Sequence, residues 1–178
     1  MVPEAPLERV EGGVVPKGEG WFVLNAADAR WLTGTFGPYT RFENFQSAKF
    51  EQLGLNINVL QPGQPACMYH GEADQEAFLV LAGECLLLVE GEERPLKQWD
   101  FFHCPPWTEH VIVGAGDGPC TVLSLGARNT RGVIYPATEV ATRHRAGVEE
   151  TTEDPDVAYK DVPPDTPIEF DPSWLPGG

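Results

Sequence analysis

The chain is predicted to be all-β, built as an antiparallel sandwich or barrel, and three observations carry that reading. Glycine and proline, 19 and 17 of 178 residues, are too frequent for long helices and mark many turns. Apolar or alternating runs of strand length recur through the middle of the chain, each ending at a Gly, Pro or Asp cluster. No helical periodicity separates these runs, which argues against crossover helices and a parallel sheet.

Taken in order, residues 1–20 are rich in Pro, Gly and Glu without pattern and read as an N-terminal arm. Asn25 to Arg30 (NAADAR) holds the one helical hint, a short turn with Asn25 as its cap. Leu55 to Leu60 alternates apolar and polar before the turn Gln61-Pro62-Gly63. Ala77 to Ala82 (AFLVLA) is a buried strand ending at Gly83, and Cys85 to Val89 starts a hairpin that turns across Glu90-Gly91-Glu92-Glu93. Trp99 to Cys104 is stopped by Pro105-Pro106. Val111–Val113 and Thr121–Leu125 flank the turn Ala115-Gly116-Asp117-Gly118-Pro119. Residues 21–145 therefore form one strand-rich domain. Residues 146–178 are an acidic, Pro-rich extension, nine acidic residues against one lysine, interspersed with Tyr159, Phe170 and Trp174. The extension cannot make a core of its own, but its aromatics can pin it to the domain, and Asp165 to Gly178 is expected to lack regular structure.

A formal charge of −15 with scattered Lys and Arg sets aside nucleic acid and anionic membranes as partners. No apolar run reaches the roughly 18 residues of a membrane span, and the first residues lack the layout of a secretory signal. Cys67, Cys85, Cys104 and Cys120 lie in or beside apolar runs with no CxxC pair. That usage fits reduced thiols in a cytoplasmic protein, with disulfide pairing of an even number of cysteines as the alternative.

The chemistry concentrates in two stretches. In an extended chain His70 and Glu72 project to the same side. Glu76 opens the apolar run AFLVLA, where a carboxylate is costly unless paired or bound to a cation. His110 follows the Pro105-Pro106-Trp107 turn. Two imidazoles and two carboxylates on one cavity suit a first-row divalent metal, with Glu72 either a ligand or a solvated carboxylate at the rim. Phe78, Phe101, Phe102 and Trp107 stand beside the site, and some of them are expected to supply apolar pocket walls, with His103 lining the pocket or hydrogen-bonding there.

The stretch from Gly63 to Gly83 resembles the first motif of the cupins, with Glu76, six intervening residues and Gly83 matching its second half. Trp99 to His110 resembles the second motif, with Asp100, Pro105 and His110 at its intervals. The chain departs from the pattern at Glu72, which stands for the second His of the family's pair, and at the Gly63–His70 spacing, one residue longer than usual. Trp99 and Trp107 stand where glycines are preferred, and Gly114 stands for an asparagine. The resemblance implies a jelly-roll barrel binding one divalent transition metal (Zn, Mn, Fe, Ni or Co) through His70, Glu72, Glu76 and His110. It further implies a metal-dependent enzyme, of oxygenase, isomerase or lyase type, on a small oxygen-rich molecule chelated to the metal. The alternative is a non-catalytic module that binds the same kind of ligand. A homodimer is expected, with the apolar segment Trp21-Phe22-Val23-Leu24 covering a sheet edge of the neighbouring copy.

Overall fold

The structure is a computed structural model that describes residues 1–176. The N-terminal ribbon comprises β1 (Leu7–Val10) and β2 (Gly13–Pro16), followed by β3 (Trp31–Thr33) and β4 (Tyr39–Arg41). Then come β5 (Leu53–Leu60), β6 (Gly71–Glu72), β7 (Glu76–Ala82), β8 (Glu84–Val89) and β9 (Glu92–Lys97). β10 (Phe101–Cys104), β11 (His110–Ala115), β12 (Cys120–Ala127) and β13 (Val133–Ile134) complete the domain's strands. The last segment carries α1 (Glu139–Arg143), α2 (Pro155–Ala158), β14 (Thr166–Ile168) and one 3-10 turn, Pro172–Trp174. No helix among the described residues is long and apolar enough to cross a membrane.

A seven-stranded antiparallel sheet in the order β10-β7-β12-β5-β4-β3-β14 faces a three-stranded sheet ordered β11-β8-β9. The period-2 rule sorts the side chains into three apolar cores. Between the sheets, Leu60, Phe78, Val80, Cys85, Leu87, Ile112 and Val122 pack together. Behind the small sheet, Leu88, Val111 and Val113 are covered by Tyr69, by Val140 and Ala141 of α1, and by Ala146. Behind the large sheet, Ile57 and Val59 lie under Trp31 and Trp174, with Phe170 alongside. The acidic extension is thus held by its aromatics: Trp174 and Phe170 lie 5.0 and 5.6 Å from the Trp31 ring.

Local structure departs from expectation in a few places. Residues 7–16 form the β1–β2 ribbon, and residues 165–176 add β14 to the large sheet beside β3 instead of running without structure. The β8–β9 turn is tighter than predicted: Glu90 and Gly91 alone make it, both with positive φ, which is the two-residue turn matched to strand twist. α1 starts at Thr138, whose hydroxyl caps Ala141 N–H, and α2 starts at Asp154 with Pro155 in its first turn. Both helices are too short to show a hydrophobic period.

Two of the departures from the cupin pattern explain each other. A Cβ on Gly114 would sit 2.1 Å from the Gln61 carbonyl oxygen, so only glycine fits there. The turn after β5 lies directly on that position: Gly63 N–H donates to Gly114 O at 2.7 Å, and Gly114 N–H to Gln64 O at 2.9 Å. The longer turn occupies the space an asparagine side chain would need. Trp99 and Trp107 keep the left-handed backbone, with φ of 75° and 65°, that makes glycine the favoured residue at such positions.

Candidate metal centre

Adjacent strands bring the two histidines together. His70 and His110 form an antiparallel bridge, with backbone N–H···O distances of 3.1 and 2.8 Å. Both imidazoles are oriented from behind by backbone. His70 Nδ1 lies 2.8 Å from Met68 O, and His110 Nδ1 lies 3.0 Å from Thr108 O. A carbonyl oxygen only accepts, so each Nδ1 carries a proton and each Nε2 is the ring nitrogen left facing the cavity. Glu76 enters from β7, placed by its pairing opposite Cys104 and Gly126.

The ligand atoms of His70, Glu76 and His110 all lie within 4.8 Å of one another. His110 Nε2 is 3.3 Å from Glu76 Oε2, and His70 Nε2 is 3.5 Å from Glu72 Oε1. Glu76 Oε2 is buried without any hydrogen-bond partner. Two imidazole Nε2 atoms and two carboxylates therefore converge, an arrangement that requires protons or a metal cation between them.

The electrostatics agree. Burial, then the neighbouring Glu72 charge, push the Glu76 carboxyl up to about 7, with His70 opposing. Burial and the proximity of His70 press His110 down to about 4. The Glu76–His110 contact is therefore not an ion pair at neutral pH, because the imidazole is uncharged there. Burial also works against charge on His70, but Cys67, Glu72 and Glu76 outweigh it and hold its pKa well above the usual value. Glu72 is held below the ordinary carboxylate range, chiefly by His70, and its side chain is 39% exposed at the rim.

The cavity beside these groups has a volume of about 220 Å³. Its walls include Asn56, Asn58, Ser124, Phe78, Tyr135 and Tyr159, and no lysine or arginine lines it. Asn58 Nδ2 donates to Ser124 Oγ at 2.9 Å. Tyr159 OH accepts from Met68 N–H at 3.2 Å, and its ring meets Tyr135 edge-on at 5.7 Å.

Of the five expected wall residues, Phe78 lines the cavity and four do not: Phe102 stacks on Phe78, and Phe101, His103 and Trp107 turn away. The β10–β7 register pairs Phe102 with Phe78 and Cys104 with Glu76, so these face inward while Phe101 and His103 face solvent. Phe101 is 63% exposed. Trp107 is 55% exposed because its left-handed turn sends the ring outward, over Gly132. Its backbone still serves the site, since Trp107 N–H donates to Glu72 O at 2.6 Å. Asn56, Asn58 and Ser124 escaped sequence reasoning because alternation marks a strand without saying which face borders a cavity. Tyr159 carried a signal, as one of three aromatics in an otherwise polar extension.

Residues 56–126 match the Cupin_2 family, described as a cupin domain, and this span holds both histidines, Glu72 and Glu76. This segment is a cupin domain. Among solved structures, this cupin is similar to a sugar phosphate isomerase from a cupin superfamily of Silicibacter pomeroyi, with TM-score 0.52 and 19% identity over 64% of this chain and 85% of that one. It is also similar to the polyketide cyclase RemF of Streptomyces resistomycificus, with TM-score 0.53 and 12% identity over 64% and 83%. A predicted oxalate decarboxylase of Thermotoga maritima aligns with TM-score 0.52 and 16% identity over 60% and 98%. These likenesses show the jelly-roll fold. No curated protein matches the sequence significantly.

Proposed function

We propose that this cupin is a metal-dependent enzyme whose substrate is a small, oxygen-rich molecule chelated to a divalent transition ion. The observation that carries the reading is the convergence of two cavity-facing imidazole Nε2 atoms and a partnerless buried carboxylate oxygen on one cavity. His70, Glu76 and His110 would hold the ion, with Glu72 within reach at the rim. Zn, Mn, Fe, Ni or Co suit nitrogen and oxygen donors without thiolate. Such an ion supplies Lewis acidity toward a bound oxygen.

The residues around it define what the substrate's other end must be. Asn56, Asn58 and Ser124 offer amide and hydroxyl groups, Tyr135 and Tyr159 offer phenols, and Phe78 gives one apolar wall. With no cation in the lining, the end remote from the metal is best matched by neutral hydroxyl or carbonyl groups. The fold's neighbours include an isomerase, a cyclase and a predicted decarboxylase. At such low identity the reaction is argued from the cavity alone.

The test compares metal-free protein with protein reloaded with each of the five metals. Both are incubated with hydroxylated ketones, hydroxy acids and catechols, and products are followed by NMR. Conversion that requires metal supports the enzyme. A compound that binds tightly with metal and is recovered unchanged would favour a binding module instead. We also propose a homodimer using the Trp21–Leu24 segment, where Trp21 and Val23 are exposed.

A further inference from the structure

Besides Glu76 Oε2, one other buried side-chain atom among the described residues lacks a hydrogen-bond partner, and it is a cationic one: Arg41 Nε. Its neighbourhood has a second guanidinium. Trp31 pairs with Thr40 and Leu32 with Tyr39, so continuing that antiparallel register sets Arg30 opposite Arg41. Thr40 Oγ1 donates to Arg30 O at 2.8 Å and fixes the approach. Like charges directly opposite on neighbouring strands repel. Both arginines line a cleft of about 290 Å³, together with Val10, Val15, Leu32 and Phe45.

The charges that could neutralise this pair are engaged elsewhere. Glu43 lies in the same cleft, but Arg128 holds it bidentately at 2.6 and 2.8 Å, and Phe50 N–H donates to it at 2.9 Å. Asp165 reaches Arg41 only through Tyr39: Tyr39 OH donates to Asp165 Oδ2 at 2.9 Å and accepts from Arg41 Nη2 at 2.7 Å. Arg30 Nε donates to a carbonyl, Glu11 O, at 3.2 Å. No ion pair to Arg30 or Arg41 occurs within 4.0 Å among the described residues. In a chain of net charge −15, two half-buried arginines with no carboxylate in direct contact, Glu43 acting on Arg41 only at longer range, stand out against the field of the rest of the molecule.

We propose that this cleft, walled by the N-terminal ribbon and β3–β4, is a binding site for a small organic carboxylate with an apolar body. The carboxylate receives hydrogen bonds from Arg30 and Arg41, in the fork geometry that suits guanidinium groups. The apolar body lies against Val10, Val15 and Leu32, with the Phe45 ring available for stacking. Arg41 is already held for this role, with its guanidinium 4.7 Å from the Phe45 ring centre and 4.9 Å from that of Tyr39. The site uses none of the metal-centre residues.

The test is calorimetric titration of the full-length protein with sodium benzoate at constant ionic strength, with inorganic phosphate as the comparison anion. Benzoate is expected to bind saturably at one site. Arg41→Gln and Arg30→Gln should each weaken it at least tenfold, whereas the His70→Ala, His110→Ala double variant should bind it as wild type does. Arg41→Gln also breaks the contact to Tyr39, so Arg30→Gln carries the result if Arg41→Gln does not fold. Its ligand-free melting temperature is expected to equal or exceed that of wild type, because it relieves a repulsion. Absence of saturable benzoate binding, or undiminished binding in Arg30→Gln, overturns the site. Loss in the histidine variant alone would place benzoate at the metal centre and overturn it equally. Binding of phosphate but not benzoate overturns the ligand class.

Discussion

The two faces of the large sheet are made by the same strands and do opposite work. On β5, Ile57 and Val59 point outward into an aromatic cluster closed by Trp31, Trp174 and Phe170, where burial is nearly complete. Asn56 and Asn58, one residue to either side of Ile57, line the cavity beside His70, Glu76 and His110. β12 repeats the division, with Leu123 outside and Ser124 inside. The apolar face is therefore the outer one along this stretch, kept dry by the C-terminal extension, and the polar face is interior. What separates them is the period of two, and the lesson is that polar residues on a strand can mark a cavity as readily as solvent. The outer face here is purely structural, whereas the inner face divides between the apolar core around Leu60, Val80 and Val122 and the polar wall of the cavity.

The largest expected effect breaks the outer face. Trp31 is fully buried, and Trp31→Ala should cost about 3–5 kcal/mol in denaturant unfolding. Metal content of the folded fraction should be unchanged, and parallel loss of metal would show that the two faces are not independent. Next comes Gly114→Ala, expected to cost about 3 kcal/mol because its Cβ meets the Gln61 carbonyl at 2.1 Å. A substitution without penalty would show that the turn after β5 yields easily, and that the two departures from the cupin pattern are unrelated.

On the inner face the sign reverses. Glu76→Gln removes a buried charge, so the metal-free protein at pH 8 should gain about 1–3 kcal/mol while losing metal affinity. The linkage follows from the shifts. Glu76 titrates near 7 in the metal-free fold against 4.5 in the unfolded chain, so its contribution is lost as pH rises between those values. His110, near 4 against 6.5, contributes stability above 6.5 that is lost as pH falls toward 4. The two slopes oppose each other over most of that window. His70, raised well above 6.5, adds a further loss as pH climbs past that value. Metal requires the deprotonated ligands, so the melting-temperature gap between loaded and metal-free protein should widen from pH 5 to pH 8. A gap that stays constant would exclude these groups as ligands. The smallest effect is Asn58→Ala, about 1 kcal/mol for the lost Ser124 hydrogen bond. Binding of metal should persist, and a simultaneous loss of metal would extend the centre to the amide wall.

Much of this architecture could be read from residues alone. The alternation of Leu55–Leu60, the run Ala77–Ala82 and the proline stop after Cys104 each correspond to a strand of the structure. That His70, Glu76 and His110 lie close together was legible because a carboxylate opening an apolar run demands an explanation and a histidine precedes or follows it at each turn. The cavity walls were not legible in the same way. Phe101 and His103 belong to the outward parity of β10, and one strand's sequence does not say which parity faces the centre. Tyr135 and Tyr159 reach the cavity by long-range packing, which leaves no local signature. Residues 7–16 pair with each other despite their Pro and Gly content, because ribbon pairing depends on backbone groups as much as on a hydrophobic pattern.

The central claim is that His70, Glu76 and His110 hold one divalent ion. Its most direct measurement is elemental analysis of wild type and the His70→Ala, His110→Ala double variant, after loading with metal and exhaustive dialysis, with circular dichroism to verify folding. The expected result is close to one equivalent of metal in wild type and almost none in the folded variant. A folded double variant that retains a full equivalent would contradict the assignment and the function proposed from it.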